Sequence, residues 1–371
     1  MPSLATFNVN NLFLRYKFAN MYAGDQARKS RVEAAQAMGW GYLPMIAKGR
    51  FSAASYVFWD AKRRKATAKA LKAVDGNLPD ILCLQEVESM AALRKFNDDY
   101  LGGHYTNFML IDGLDMRQID VAVASIWPII DVRSNVDLLG RDGARVFSRD
   151  CLEATIDIPG SQPLTLFLNH LKSKLPQGKT KAQKDADTRR SHEVRRRQAE
   201  TVAKIVQDRM AGRLASPLYA VVGDFNDTPT SPSVTPLTRN GLLTDVLAAH
   251  LPPLERYTYF WRSKNSVSQI DYILASKALS ARVAASVKKG KQFTPHIERS
   301  GLGFVTGTGA NAGKIREPRF AFFEPDVAHP KDADRAIPAP MKVPFDFARL
   351  PSVKEDPKAP ISDHAPVKIW F

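Results

Sequence analysis

Short apolar runs separated by longer polar stretches are the feature that most restricts how this chain can fold. Seven runs rich in Val, Ile, Leu and Phe are bounded by Gly, Pro, Asn or Asp, and they cover 4–9, 80–85, 120–126, 164–169, 218–223, 270–275 and 367–371. Runs this short favour β-strands buried on both faces. Residues 189–210 and 61–74 instead place apolar side chains at helical spacing, opposite Lys and Arg. The alternation predicts a mixed α/β fold with strands packed between helices.

Polar side chains occur where nearly every predicted strand ends. The clusters are Asn8 with Asn10, Gln85 with Glu86, Asn169 with His170, Asp224 with Asn226, Asp271, and Asp363 with His364. Burying such groups without partners costs roughly a few kcal/mol each. We therefore expect the six clusters to converge on one site.

The chemical types in these clusters suit one reaction. Glu86, Asp224 and Asp363 offer hard oxygen ligands of the kind that Mg²⁺ or Mn²⁺ prefers, and histidines without thiolates argue against structural zinc. Such a metal would neutralise charge on a phosphoryl group, while an imidazole held by a carboxylate moves a proton or holds the phosphate. Asparagine amides add oriented dipoles without negative charge. The combination indicates phosphoester hydrolysis.

The net charge of +15 and the pI near 9.7 predict a surface that attracts polyanions. Nucleic acid, anionic lipid headgroups and phosphorylated small molecules are the natural partners, although a merely cationic soluble protein has the same composition. Basic residues concentrate at 62–72 and at 172–197, directly after His170. A charge run of this kind is either a solvated face or a surface that contacts phosphates.

We expect a single domain over 1–371, with a basic loop and helix around 172–213 and a long irregular insertion around 286–360. The insertion is rich in Gly, Pro and charge, which indicates a functional or mobile connection, and its glycines match no phosphate-binding motif. Residues 38–60 crowd aromatic and basic side chains, so they form either a packed helix or a wedge for bases or lipid. Cys83 and Cys151 lie in apolar runs and are expected to be buried thiols. Residues 1–13 do not show a basic segment followed by an apolar core, and we therefore expect a cytoplasmic protein.

An ordered series of motifs resembles a known family. FNVNNL, ILCLQEVE, DMRQIDVAVAS, FLNHLKSK, GDFNDTP, QIDYILAS and SDHAPV occur from residue 4 onward in the order typical of the endonuclease/exonuclease/phosphatase superfamily. Any one of these motifs is weak, whereas the whole series is specific. The resemblance implies a DNase I-like fold of the α+β type, a four-layer sandwich in which two mixed β-sheets pack face to face with helices outside.

The resemblance also implies a role for each motif residue. Glu86 would be the principal ligand of Mg²⁺ (or Mn²⁺), with Asn10 beside it and Asp363 facing the metal. The implied catalytic residues are His170, Asp224, Asn226, Asp271 and His364, in which Asp271 pairs with His364. The implied substrate-binding residues are Asn8, Arg117, Asn169 and Lys172.

The sequence departs from the family pattern at two positions. Asn10 stands where many members have an acidic residue, which weakens the case for a second metal. Gln118 stands where glycine is usual, which leaves Arg117 and Asp120 as the phosphate-side and supporting residues of that motif.

Several polar residues outside the strand ends have simpler interpretations. Asp227 before Thr-Pro is a turn former, and Glu88 is expected at the surface. Lys172 and Ser173 either touch the substrate or only begin the basic loop. The remaining histidines are expected to be solvent-facing or capping: His104, His192, His250, His296 and His329.

The leading functional hypothesis is a nuclease that acts on DNA or RNA, because the basic segments would supply sequence-independent phosphate contacts. A phosphatase or phospholipid phosphodiesterase acting on inositol phosphates or lipid headgroups is the alternative. A non-catalytic nucleic-acid-binding protein on the same fold is a third hypothesis, against which the complete set of Glu86, Asp224, Asp271 and His364 argues.

Overall fold

The structure is a computed structural model of the 371-residue chain. It describes residues 1–14, 17–18, 56–57, 61–72, 75–115, 117–176, 178–212, 216–261, 266–299, 302, 305–306, 315–316, 320–323, 341–344 and 362–371. The chain divides into two compact units, Met1–Leu12 with Arg63–Phe371 and Phe13–Lys62. The two main sheets and the candidate site belong to the first unit.

The described elements alternate along the chain. The strands are β1 (Ser3–Leu12), β2 (Lys17–Phe18), β3 (Tyr56–Val57), β4 (Ile81–Val87), β5 (Asn107–Leu110), β6 (Asp120–Ser125), β7 (Ile129–Arg133), β8 (Cys151–Ile156), β9 (Leu164–His170), β10 (Leu218–Asp224), β11 (Thr244–Asp245), β12 (Tyr259–Trp261), β13 (Ser266–Ser268), β14 (Asp271–Ala275), β15 (His296–Ile297), β16 (Val305–Thr306), β17 (Ile315–Arg316), β18 (Phe320–Phe323), β19 (Met341–Pro344) and β20 (Val367–Trp370). The α-helices are α1 (Ala61–Lys72), α2 (Met90–Tyr100), α3 (Lys181–Met210), α4 (Thr235–Thr238), α5 (Val246–His250) and α6 (Lys277–Lys289).

Two six-stranded mixed sheets form the framework. The first has the order β15-β20-β1-β4-β6-β5, in which β1 and β4 are parallel and the other pairs antiparallel. The second has the order β11-β14-β10-β9-β8-β7, in which β9 and β10 are parallel. Smaller sheets are formed by β12-β13-β18-β19, by β16-β17 and, in the second unit, by β2-β3.

The two large sheets pack face to face around one apolar core. Alternate residues of β4, Ile81 and Cys83, join this core together with Leu166 of β9, Val222 of β10 and Ile273 of β14. Because side chains alternate across a strand, the residues between them face outward, toward helices.

Helices cover the outer faces. α2 begins at the N-cap Ser89 and packs against β4 and β5. α3 begins with a capping box between Thr180 and Gln183, and its Val202 and Val206 pack on the outward residues of the second sheet. The predicted α/β, four-layer, DNase I-like sandwich is therefore confirmed.

The helix predicted at 189–210 starts earlier, at Lys181. The sequence pattern missed its first turns because they are polar on all sides and show no apolar periodicity. Most of the aromatic segment 38–60 lies outside the described residues, as does much of 286–360, whose described parts include β15 to β19. Cys83 and Cys151 are buried free thiols, as predicted. Within the described part of the chain, none of the helices is long and apolar enough to cross a membrane.

Candidate active site

Asp224 lies at the centre of the candidate site because of strand register. It is the last residue of β10, where it pairs with His170 of β9 on one side and with Asp271 of β14 on the other. The preceding Gly223 has φ 132°, and a Cβ there would lie 1.9 Å from the backbone oxygen of Asn169. Only glycine permits this approach of two backbones. The tight pairing brings three of the predicted polar side chains to one edge of the second sheet.

Asn8 connects the first sheet to Asp224. It lies on β1 opposite Gln85 of β4, and its Nδ2 donates to Asp224 Oδ2 at 3.0 Å. Its Oδ1 accepts from the backbone N–H of Asn10 at 3.0 Å, which fixes the orientation of the amide. Asn8 and Asp224 are both buried. The site is therefore assembled from both sheets.

His364 and Asp271 form a buried hydrogen-bonded pair, as the resemblance implied. His364 Nδ1 lies 2.9 and 3.1 Å from the two carboxylate oxygens of Asp271, and Nε2 lies 3.8 Å from Asp224 Oδ2. Burial opposes a charged imidazole, but Asp271 and Asp224 outweigh burial and raise the pKa of His364 well above its usual value. Asp271 and Asp224 thus favour the charged form of the ring, with Nδ1–H directed at Asp271.

Thr258 orients this pair and was not identified from the sequence. Its hydroxyl donates to Asp271 Oδ2 at 2.7 Å and accepts from the backbone N–H groups of Ile270 and Asp271 at 3.1 and 3.0 Å. Its carbonyl accepts from the N–H of Ala365, the residue after His364, at 2.7 Å. A threonine among aromatic residues gives no sequence signal for such a role.

His170 lies on the other side of Asp224, with Nε2 3.4 Å from Oδ2. Burial, followed by the positive charges of Arg149 and His364, lowers the pKa of His170 well below its usual value. Its buried Nδ1 has no hydrogen-bond partner among the described residues. Two imidazoles whose pKa values are shifted in opposite directions thus flank one carboxylate.

The pKa of Asp224 is raised to about 7, chiefly by burial. The imidazolium of His364 opposes this rise, the charge of Asp271 adds to it, and hydrogen bonds from Asn226 and Asn8 oppose it. Asp224 is consequently near its titration midpoint at neutral pH. A carboxylate in that condition can accept and return a proton with little cost.

The two remaining asparagines of these motifs differ in their surroundings. Asn226 has φ 53°, and its Nδ2 donates to Asp224 Oδ2 at 3.2 Å and to the carbonyl of Leu171 at 3.1 Å. Asn169 is fully buried and its Nδ2 donates to the carbonyl of Phe167 at 3.0 Å. Asn226 thus belongs to the site, whereas the substrate contact implied for Asn169 remains a prediction.

Glu86, Asn10 and Asp363 form an oxygen-rich group beside this cluster. Asn10 Nδ2 donates to Asp363 Oδ1 at 2.9 Å. Glu86 has φ 66° and interrupts the register of β4 with β6 between Gln85 and Val87. This bulge turns its carboxylate out of the alternation of the strand. In the described part of the chain, no hydrogen bond to the Glu86 carboxylate is formed.

The electrostatics of Glu86 fit a cation ligand. Burial raises its pKa, the positive charge of His364 lowers it, and the carboxylate of Asp363 raises it. A carboxylate held in this way and left without hydrogen-bond donors gains from a bound divalent cation. Asp224, Asp271 and His364 also lie close enough together to ligate a metal. However, His364 Nδ1 already donates to Asp271, and Asp224 Oδ2 already accepts from Asn8 and Asn226. Glu86 and Asp363 therefore fit the metal better.

Positive charge on the other side comes mainly from Arg149, which the sequence motifs did not reveal. Arg149 is buried, its Nε donates to Asp115 at 2.8 Å and its Nη1 donates to the carbonyl of Leu171 at 3.1 Å. Asp115 also pairs with the exposed Arg117 at 3.2 Å. Lys172 is half-buried, and burial followed by the charge of Arg149 lowers its pKa. The available signal was the position of Arg149 two residues before Cys151, which lies in an apolar run.

The interpretation of His192 was wrong, whereas that of Asp227 as a turn former was correct, since its Oδ1 accepts from the N–H of Thr228 at 3.1 Å. His192 is buried rather than solvent-facing, with its Nδ1 3.1 Å from Arg195 Nη2. Asp227 is more than a turn former, because its carboxylate is buried and pairs with Lys174 at 2.6 Å and with Arg195 at 3.1 Å. The other histidines without motifs are His104, His250 and His296, which are half-buried, and His329, which lies outside the described residues.

Three solved structures illustrate the similarity of the chain to known proteins. They are a mannosyl-6-phosphatase from Bacteroides thetaiotaomicron (15% identity, TM-score 0.48, 99% of this chain and 98% of that one), sphingomyelinase C from Streptomyces griseocarneus (14%, 0.46, 99% and 98%) and truncated TDP2 from Caenorhabditis elegans (14%, 0.45, 99% and 95%). No curated protein matches the sequence. The sequence profile of the Endonuclease/Exonuclease/phosphatase family matches residues 5–364, nearly the whole chain. The chain therefore belongs to the endonuclease/exonuclease/phosphatase family.

Proposed function

We propose that this protein is a divalent-metal-dependent hydrolase that cleaves phosphodiester bonds in DNA or RNA. The observation that carries the chemistry is the position of Asp224 between the His364–Asp271 pair and His170, with a pKa of about 7. The family consists of phosphoester hydrolases, which agrees with this arrangement.

In the proposed reaction Asp224 orients the attacking water and accepts its proton as the new P–O bond forms. The departing oxygen needs a proton, and the imidazolium of His364 is the acid at hand, since Asp271 keeps it charged. Asn8 and Asn226 hold Asp224 Oδ2 in place at 3.0 and 3.2 Å. Each proton that is taken from water can thus be matched by one that is given to the leaving group.

Glu86, Asn10 and Asp363 are the residues that would hold the metal, because they present oxygen atoms and no thiolate. Mg²⁺ (or Mn²⁺) bound there supplies Lewis acidity that neutralises charge on the phosphoryl oxygens. Arg149, Arg117 and Lys172 would bind the phosphate from the other side. Arg149 and Arg117 act on the charges of Glu86 and His170, and both arginines lie close enough to Lys172 to lower its pKa.

A nucleic acid as substrate is supported by the charge of the chain and by α3. The net charge is +15, and exposed lysines at 179, 181 and 184 continue from the site onto the start of the helix. The rest of the basic run contributes less than the sequence indicated, because Arg196 pairs with Glu193 and Glu200 and Arg197 pairs with Asp142.

A phospholipid headgroup is the alternative substrate, and one observation favours it. Leu114 and Leu175 have 48% and 63% of their surface exposed, in the loops that carry Arg117 and Lys172. Exposed leucines between cations suit the boundary of a charged lipid surface.

The test is hydrolysis of four substrates with Mg²⁺ and with chelator: plasmid DNA, single-stranded RNA, anionic phospholipid vesicles and a soluble phosphate monoester. Mg²⁺-dependent cleavage of DNA or RNA is expected. Turnover of only the vesicles or the monoester would overturn the nuclease proposal while leaving the metal chemistry. Undiminished turnover after demonstrated removal of the metal would overturn the chemistry itself.

Salt dependence gives a second test of the nucleic acid substrate. When Lys179, Lys181 and Lys184 are replaced by Ala, the log–log slope of duplex binding should flatten by about 0.9 for each phosphate that is no longer neutralised. Lys204 is the matched control, since it lies on the same helix about 30 Å from Lys184 at 1.5 Å per residue. If Lys204→Ala flattened the slope as much as the replacement of Lys179, Lys181 and Lys184, a local interaction with phosphates would be contradicted.

A further inference from the structure

The two residues after His170 lie outside any helix or strand, yet every backbone polar group in them has a partner. The N–H of Leu171 donates to the carbonyl of Asp224 at 2.9 Å. The carbonyl of Leu171 accepts from Arg149 Nη1 and from Asn226 Nδ2, both at 3.1 Å. Leu171 is therefore hydrogen-bonded both to the Asp224 motif and to the loop that carries Arg149.

Lys172 is held on both sides of its own backbone by α3. Its N–H donates to Gln198 Oε1 at 3.0 Å, and its carbonyl accepts from Arg195 Nη1 at 2.9 Å. Gln198 is itself fixed, because its Nε2 donates to the carbonyl of Val146 at 3.1 Å. Gln198 and Arg195 lie one turn apart on the same face of the helix. This face therefore hydrogen-bonds both the N–H and the carbonyl of Lys172.

The cost of this arrangement argues for a role beyond stability. Arg195 has no exposed surface, and its charge is compensated by the buried carboxylate of Asp227 at 3.1 Å. Replacing a buried ion pair with apolar residues of similar volume is often neutral or even stabilising. Apolar side chains could not replace one contact of this ion pair, because Arg195 donates a hydrogen bond to the carbonyl of Lys172. Asp227 follows Asn226 directly, so this pair also ties the Asp224 motif to the Lys172 segment.

We infer that Gln198, Arg195 and Asp227 are positioning residues that fix Lys172 beside His170, so that its ammonium group meets the phosphate of the substrate. The inference rests on the proposed function, since it assigns the placement of a phosphate contact in that reaction. It also replaces the sequence-based expectation for this region: within the basic run, Arg195 acts through Lys172 and does not contact the substrate.

A double-mutant cycle tests the inference, because residues that act through a shared partner have non-additive effects. Lys172→Ala and Gln198→Met should each raise KM for an oligonucleotide by roughly 3- to 30-fold, the range of one weakened phosphate contact. The double variant should be no worse than Lys172→Ala alone, and kcat should change less than KM. Asp227→Asn, which keeps the shape of the side chain, should behave as Gln198→Met does and replaces it if that variant does not fold.

Two controls separate the possible failures. Gln207→Met makes the same substitution at an exposed position of α3 and should leave KM unchanged. Binding of a fluorescent oligonucleotide in chelator provides a readout that does not depend on turnover. If the wild-type protein hydrolyses no phosphoester, the proposed function is overturned. Active wild-type protein with additive effects of Gln198→Met and Lys172→Ala would overturn the positioning role alone.

Discussion

Replacing Asp224 by Asn should stabilise the protein at pH 8 while abolishing hydrolysis. The pKa of Asp224 is raised from 3.8 to about 7, chiefly by burial. A shift of one pKa unit corresponds to about 1.4 kcal/mol, so ionising Asp224 costs the folded state about 4 kcal/mol more than it costs the unfolded state. The folded state binds this proton more tightly than the unfolded state. Stability is therefore lost as pH rises from about 4 to 7, and Asn, which resembles the protonated acid, avoids the loss.

The net gain should be smaller, because an Asn amide group at Oδ2 would face the amide donors of Asn8 and Asn226. We expect Asp224→Asn to raise the unfolding free energy at pH 8 by about 1 to 3 kcal/mol. At pH 5 the advantage over wild type should be about 2 to 3 kcal/mol smaller than at pH 8, because most of the wild-type penalty arises between those values.

Urea denaturation in chelator at pH 5 and pH 8 measures this difference without interference from a metal. Asp131→Asn is the control, since it makes the same substitution at an exposed position, on β7. A gain that is equal at both pH values would refute the reasoning. So would a variant that is less stable than wild type at pH 8, because burial would then not be what raises the pKa.

Three further outcomes are expected at the same site. His364→Ala and Asp271→Asn should each lower kcat by roughly 10² or more, and the double variant should be little worse than the worse single variant; additive losses would show that Asp271 does not orient His364. Glu86→Gln should raise the Mg²⁺ concentration needed for half-maximal turnover, and an unchanged Mg²⁺ titration would remove Glu86 from the metal site. Gly223→Ala should lower the unfolding free energy by about 3 kcal/mol or more, measured in urea, because the strands must separate; Gly241→Ala, also at positive φ but with open space around its Cβ, should cost only about 1 kcal/mol.

The strand-end residues of the site were predictable because strand register is regular. His170 and Asp224 each end an apolar run and Asp271 begins one, and pairing of those runs places them side by side. The order of motifs indicated the sandwich and the pairing of His364 with Asp271. Apolar periodicity alone indicated only a mixed α/β fold.

The supporting residues were not predictable, because their meaning depends on partners that are distant in sequence. Arg195 reads as one cation in a solvated run, and its burial follows only from the ion pair with Asp227, 32 residues later. Arg149 is likewise explained by Asp115, 34 residues earlier. The early start of α3 did have a signal, the capping box of Thr180 and Gln183, but polar first turns hide it from a search for periodicity.

The position of β20 in the first sheet has a consequence for biosynthesis. β1 ends at Leu12 and β20 begins at Val367, yet the two strands are direct neighbours, and Ser362 Oγ donates to the carbonyl of Asn8 at 2.9 Å. A ribosome adding about 5 to 20 residues per second takes roughly 20 to 70 seconds to make the intervening chain. Throughout that time one edge of β1 has no partner and Asp224 has no imidazolium beside it. Under the proposed mechanism, the nascent chain therefore cannot hydrolyse phosphoesters until His364 is made. Until β20 is made, β1 also needs protection from pairing with other chains.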